Sequence, residues 1–214
     1  MGRFYVPRES VREGKIFING PEAHHIVHVM RLRKADKVVA FDGEGKEYQG
    51  VIREVRPKGL TIDIVQTRDI VTEDSVSVTL AQAIPKKEKM DYIVEKAVEI
   101  GLRSIIPVQT ARTVVRLAAE RAPSRVERWR RIAREAAKQC GSQTVPTVER
   151  VVDFDTLLGM MGKYELCLMA CLAGDTAYIK EVLKAERPET VLLCIGPEGD
   201  FAPEEIGRAR SNGA

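Results

Sequence analysis

The residues best placed to do chemistry are Gly196-Pro197-Glu198-Gly199-Asp200-Phe201, which follow the apolar run Val191 to Ile195 and precede Ala202-Pro203-Glu204-Glu205, the opening of a helix. Glycines at the carboxyl end of a parallel strand let the backbone approach a ligand closely, the usual place for a cofactor in an open α/β sheet. The same residues would also make an ordinary tight turn. A triphosphate cradle wants glycines, a lysine and a hydroxyl, whereas Glu198 and Asp200 would repel phosphate. Neutral hydroxyls or a cation suit this loop better, and S-adenosylmethionine offers both in its ribose diol and sulfonium centre.

Other chemistry is thinly supplied. His24, His25 and His28 all fall in the first half, so a serine or cysteine triad would have to borrow its base from there. Adjacent His24 and His25 face different sides of a helix, which favours packing or exposure over a metal site. Cys140, Cys167, Cys171 and Cys194 are widely spaced in apolar surroundings and read as buried thiols in a reducing, cytoplasmic compartment. No run approaches the length of a membrane span.

The segment Arg125 to Cys140 reads as an amphipathic helix. Ser124 and Glu127 fit a capping box, and Val126, Trp129, Ile132, Ala133, Ala136 and Cys140 recur at helical spacing. Its other faces carry Arg125, Arg128, Arg130, Arg131, Arg134 and Lys138 against only Glu127 and Glu135, and Arg112, Arg116 and Arg121 precede it. A solvated surface is one reading of that excess; a phosphate-binding face is the one favoured here. The whole chain carries 34 basic and 31 acidic residues, so its charge of +3 does not by itself point to nucleic acid.

With 214 residues and 44% hydrophobic content, the chain can bury a core in one large or two modest domains. Residues 1–70 read as short strands, Phe4 to Val6, Lys15 to Ile18, Lys37 to Phe41, Tyr48 to Val55 and Leu60 to Val65, forming a small β-barrel with a helix at Glu22 to Met30. Asp42-Gly43 and Pro57-Lys58-Gly59 supply turns, each with a glycine free to take positive φ. Residues 75–214 alternate strand and helix, which predicts a mostly parallel sheet covered on both faces. Its strands are Ser77 to Ala83, Ser104 to Val108, Glu165 to Ala170 and Val191 to Ile195. The helix Glu88 to Ile100 places Met90, Ile93, Val94, Ala97 and Ile100 on one stripe and ends at Gly101. Thr67 to Asp74 reads as the linker.

Motifs in order along the chain carry a family resemblance. They are Arg3-Phe4-Tyr5-Val6-Pro7, His24-His25-Ile26 through Val29-Met30-Arg31-Leu32, Lys86-Lys87-Glu88-Lys89-Met90, Glu99-Ile100-Gly101, Glu135-Ala136-Ala137-Lys138-Gln139-Cys140-Gly141 with Val145-Pro146, and Gly196-Pro197-Glu198-Gly199. Together these resemble the RsmE family, the 16S ribosomal RNA uridine N3-methyltransferases of the SPOUT class, whose α/β sheet is tied in a trefoil knot behind a PUA-like barrel. The resemblance runs nearly end to end.

It implies that Gly196, Pro197, Glu198 and Gly199, with Ala170, Cys171 and Leu172, hold S-adenosylmethionine. It further implies that the protein is a homodimer acting on 16S ribosomal RNA of the small subunit, without membrane or metal. Arg3, Gln139 and Glu198 are the candidate catalytic residues. Arg3, Arg31, Lys86, Lys89, Arg125, Arg128, Arg131 and Arg134 are the candidate RNA contacts. The family usually has glycine where Asp200 stands and commonly arginine where Ser142 stands. It also continues past Ala214 with a segment that completes the knot, so the resemblance implies a domain truncated at its C-terminus and a weakened or inactive site in this form. Rival readings are another SPOUT enzyme acting on a different ribosomal or transfer RNA base, and a non-catalytic RNA-binding module.

Overall fold

The computed structural model describes residues 2–69, 76–142, 144–172, 176–185 and 187–214. The chain divides into two compact units, Met1–Glu73 with Arg134–Val145, and Asp74–Ala133 with Pro146–Ala214.

The first unit is built on β1 (Arg3–Tyr5), β2 (Val11–Arg12), β3 (Lys15–Asn19), α1 (Gly20–His24), β4 (Lys37–Phe41), β5 (Lys46–Arg56) and β6 (Gly59–Asp69). The strands form one six-stranded sheet in the order β1-β4-β5-β6-β3-β2. β1 and β4 run parallel and the other neighbours antiparallel. Alternating residues send Phe4, Ile16, Ile18, Val38, Ala40, Ile52 and Ile62 into one core. The predicted helix from Glu22 to Met30 takes a different form. Pro21 sits in the first turn of α1, where its missing N–H costs nothing, and from His25 to Val29 the chain widens into a π-helical turn closed by the Met30 N–H on the His25 carbonyl at 2.9 Å.

Two turns show their chemistry. Asp42 is buried and its carboxylate accepts the N–H groups of Glu44 and Lys46 at 2.9 and 3.0 Å, while Gly43 takes φ of 78°. Gly59 corrects the reading of the other turn. It has no positive φ; a Cβ there would stand 2.1 Å from Asn19 Oδ1, so its glycine serves the close approach of β6 to β3. The expected linker is also shorter at its start, because Gln66 to Asp69 stay in β6 and pair with Gln49 to Lys46. Residues 70–74 lie outside the described residues.

The second unit has β7 (Ser77–Ala83), α2 (Lys89–Glu99), β8 (Ser104–Gln109), most of α3 (Ala122–Cys140), β9 (Thr147–Val148), β10 (Val152–Asp153), α4 (Phe154–Met161), β11 (Leu166–Ala170), α5 (Ile179–Ala185), β12 (Thr190–Ile195) and α6 (Pro203–Ser211). Its sheet is parallel in every pairing, in the order β10-β8-β7-β12-β11 with β9 also on β8. Such a sheet needs apolar strands, and Ala81, Ile106, Val108, Leu192 and Cys194 are all buried, packed with Phe154, Leu157 and Met161 of α4 and Phe201.

Three helix details depart from the sequence reading. The buried stripe of α2 is Met90, Val94, Ala97 and Val98, and Ile100 falls off its edge and is exposed. Gly101, at φ of 79°, ends the helix as expected: its own N–H reaches Val98 and that of Leu102 reaches Ala97. α3 starts at Ala122, with Pro123 in its first turn, so Ser124 lies inside it and donates its hydroxyl to the Arg121 carbonyl, forming no capping box. Cys140 at its end is exposed, unlike buried Cys167 and Cys194.

Candidate functional site

β12 lies between β7 and β11, and its register with β11 pairs Ile195 with Ala170. The glycine loop after Ile195 and the segment Ala170-Cys171-Leu172 therefore leave neighbouring strands at the same level. Most of the predicted cofactor residues are brought together by this register. Beside them is a cavity of about 470 Å³ with an apolar lining that includes Met169, Ala170, Cys171, Leu193, Ile206 and Ala209.

The loop is held on several sides. Glu198 Oε1 receives the Lys89 ammonium at 2.9 Å and the Lys86 backbone N–H at 3.3 Å. The hydrogen bond from Lys89, helped by backbone donors, pulls its carboxyl down to about 2. Arg112 donates to the Gly199 carbonyl at 2.8 Å. Asp200 takes φ of 61°, a left-handed conformation that Asp tolerates better than most residues. Its Oδ2 accepts the Leu172 N–H at 2.9 Å and its Oδ1 the Phe201 N–H at 2.7 Å. Both acids of the loop are thus engaged by the protein's own donors.

Gly196 has no positive φ. A Cβ on it would stand 3.1 Å from Cδ2 of buried Phe201, so the glycine lets that ring pack against the strand end. Glu205, in the first turn of α6 and buried, accepts the N–H of Ala202 at 2.9 Å and of Ala111 at 2.8 Å. The segment Thr110 to Arg112 therefore abuts the glycine loop, which the sequence reading missed. The signal available was Glu205 at the third position of a helix opened by Ala202-Pro203, where a carboxylate reaches back to backbone N–H groups. Of the two lysines expected at RNA, Lys89 pairs with Glu198 through its ammonium, whereas Lys86 contributes only its backbone N–H and is exposed.

In the first unit, Arg3 is half-buried, its guanidinium 4.3 Å from the centre of the Phe41 ring and 3.7 Å from Glu47. Burial lowers its pKa against the opposing pull of Glu47, and its Nε and Nη2 are buried without hydrogen-bond partners. Gln139 is exposed on the last turn of α3, and Arg134 lies over the Tyr5 ring at 5.9 Å. Arg31 is exposed and takes φ of 56°. Ser142 closes a local turn with Thr144. His24 stacks on His28 at 4.7 Å and His25 meets Phe4 edge-on.

The arginines of α3 are not equivalent. Arg128 pairs with Asp91, and Arg130 with Glu127 and the Val148 carbonyl. Arg125 and Arg131 have no acidic partner among the described residues, and Arg131 is exposed.

Residues 72–214 match the RNA methyltransferase domain family and residues 18–65 the RNA methyltransferase PUA domain family. Ribosomal RNA small subunit methyltransferase E of Bacillus subtilis (strain 168) is 30% identical over 216 residues, covering 97% of this chain and 84% of that protein. The protein of the same name from Mycobacterium bovis is 27% identical over 99% of this chain and 81% of its own length. The crystal structure of ribosomal RNA small subunit methyltransferase E from Neisseria gonorrhoeae, bound to S-adenosyl methionine, superimposes with a TM-score of 0.83 at 26% identity, covering 99% of this chain and 86% of that one. With its PUA domain, its parallel sheet and its glycine loop at the strand end, this chain belongs to the ribosomal RNA small subunit methyltransferase E family of RNA methyltransferases.

Proposed function

We propose that the protein methylates N3 of a uridine in 16S ribosomal RNA, with S-adenosylmethionine as methyl donor. Residues 1–70 act as a PUA-like RNA-binding domain and 75–214 as a SPOUT-type, knotted methyltransferase domain of a cytoplasmic homodimer. One observation supports this reading: Ala170 pairs with Ile195, so the 170–172 segment and the glycine loop leave neighbouring strands side by side, next to a cavity that Met169, Ala170 and Cys171 line.

The residues present fit that cofactor. Met169, Leu193 and Ile206 in the neighbouring cavity suit an adenosyl group, and the Glu198 and Asp200 carboxylates are fixed in place by Lys89 and backbone N–H donors. The cofactor supplies an electrophilic methyl on a sulfonium. Ala170, Cys171, Leu172, Gly196, Pro197 and Gly199 hold it, and Glu198, fixed by Lys89, sets the loop.

Uridine N3 must lose its proton, whose pKa lies above neutrality, so positive charge near O2 or O4 favours the anion. Arg3 is assigned that task as a cation held between the Phe41 ring and Glu47. Gln139 orients groups at the target base, and Arg31, Arg125, Arg131 and Arg134 meet phosphates.

The test is methyl transfer to unmodified small-subunit ribosomal RNA, followed by digestion and nucleoside chromatography. The product should be 3-methyluridine. Methyl on another base would assign the protein to a different SPOUT activity, and RNA binding without any transfer would leave an RNA-binding module.

A further inference from the structure

We propose that Asp200 is a positioning residue that clasps the two halves of the cofactor site, holding the 170–172 segment against the glycine loop. The inference rests on the reading of those two segments as that site.

The ladder between β11 and β12 ends at the pair Ala170 and Ile195. Two residues further on, the Leu172 side chain is 94% exposed, so packing does not place this residue. Its backbone N–H is instead held by Asp200 Oδ2 at 2.9 Å. The side chain thus extends the strand pairing where the backbone can no longer do so.

The geometry at Asp200 serves that reach. Its N–H closes a turn onto the Pro197 carbonyl at 2.9 Å, and φ of 61° turns the residue into the left-handed region. Oδ1 takes the next N–H, from Phe201, at 2.7 Å, which fixes the carboxylate plane and leaves Oδ2 for Leu172. Glycine would adopt this φ with less strain and would supply no acceptor. Asparagine tolerates the same φ and keeps one oxygen. The two substitutions therefore separate backbone ease from the clasp itself.

Wild type, D200G and D200N should be compared by amide hydrogen exchange without cofactor, by calorimetry with S-adenosylmethionine, and by steady-state kinetics. A hydrogen bond to a charged acceptor is worth about tenfold or more in an equilibrium. In D200G the Leu172 amide should exchange about tenfold faster, and KM for the cofactor should rise about five- to tenfold with kcat within about twofold. D200N, with one oxygen for two N–H donors, should fall between wild type and D200G in both. Its melting temperature and that of D200G should stay close to wild type, so the binding loss is not general unfolding. Unchanged Leu172 exchange or unchanged KM in D200G overturns the role of Asp200. Failure of the wild-type protein to bind S-adenosylmethionine overturns the site assignment, and the proposal with it.

Discussion

Arg128 grips Asp91 with two nitrogens of one guanidinium, Nε at 3.0 Å and Nη2 at 2.6 Å from the same carboxylate oxygen, and Glu88 stands 3.6 Å away. That pair ties α3 to α2 and takes one cation out of the basic face. Arg131, exposed and without an acidic partner among the described residues, is the better phosphate ligand. Arg131→Glu should weaken RNA binding and lower the salt slope of the affinity by about one, as expected for one lost phosphate contact. Arg128→Glu should instead lower the melting temperature. Salt titrations of RNA affinity, run beside thermal melts, separate the two; an affinity unchanged by both salt and Arg131→Glu would make the face a solvated surface.

The pairing of Glu198 with Lys89 predicts a pH dependence. The Glu198 carboxyl is depressed from its ordinary 4.5 to about 2 in the folded protein. A depressed carboxyl stabilises the fold above its unfolded pKa and loses that contribution as pH falls through the folded one. Wild type should therefore be more stable than Glu198→Gln at neutral pH, and the gap should close between about pH 5 and pH 2. Both groups are solvent-exposed enough that salt should narrow it too. Melts of the two proteins across that range check the sign.

Gly196→Ala should act through Phe201. With no left-handed φ to strain, the cost is overpacking of a buried ring whose edge would be 3.1 Å from the new Cβ. A loss of about 1–3 kcal/mol is expected, measurable by urea denaturation, together with weakened cofactor binding because the loop must shift. Full stability in the variant would show that Phe201 can move freely.

Arg3→Gln tests the charge on Phe41. Glutamine removes the cation, so methyl transfer should fall by about a hundredfold, the scale of losing one preorganised electrostatic partner, with cofactor affinity unchanged. Because uridine ionises on its own in alkali, the deficit should shrink as pH rises. A deficit constant with pH would limit Arg3 to binding.

Much of this architecture was legible in the sequence because parallel strands buried on both faces must be short apolar runs. Ser77 to Ala83 was read with its observed bounds, and Val191 to Ile195 to within one residue. The glycine loop was legible for the same reason, since it follows such a run. What escaped depends on single contacts. α4 is announced by Asp153, whose carboxylate accepts the Thr156 N–H ahead of Leu157, Leu158 and Met161, yet eight residues give a weak period. The partners of Glu205 and Glu198 lie far away in the chain, and no spacing rule brings Ala111 or Lys89 to them. Ser124 fitted a cap by pattern, but Pro123 is at home in a first turn and the helix begins before it.

β7 has β8 on one side and β12 on the other, and among the described strands β12 is the last to leave the ribosome. During synthesis one edge of the central strand, Ser77 to Gln82, must wait with its backbone groups unpaired and its apolar side chains uncovered until Thr190 to Ile195 emerges. Folding of this domain should therefore be late and slow, dominated by a contact of high sequence separation. The strand that ends in the glycine loop is thus also the strand that covers β7, so the nascent chain sets the loop in place and gains its protection from aggregation in the same step.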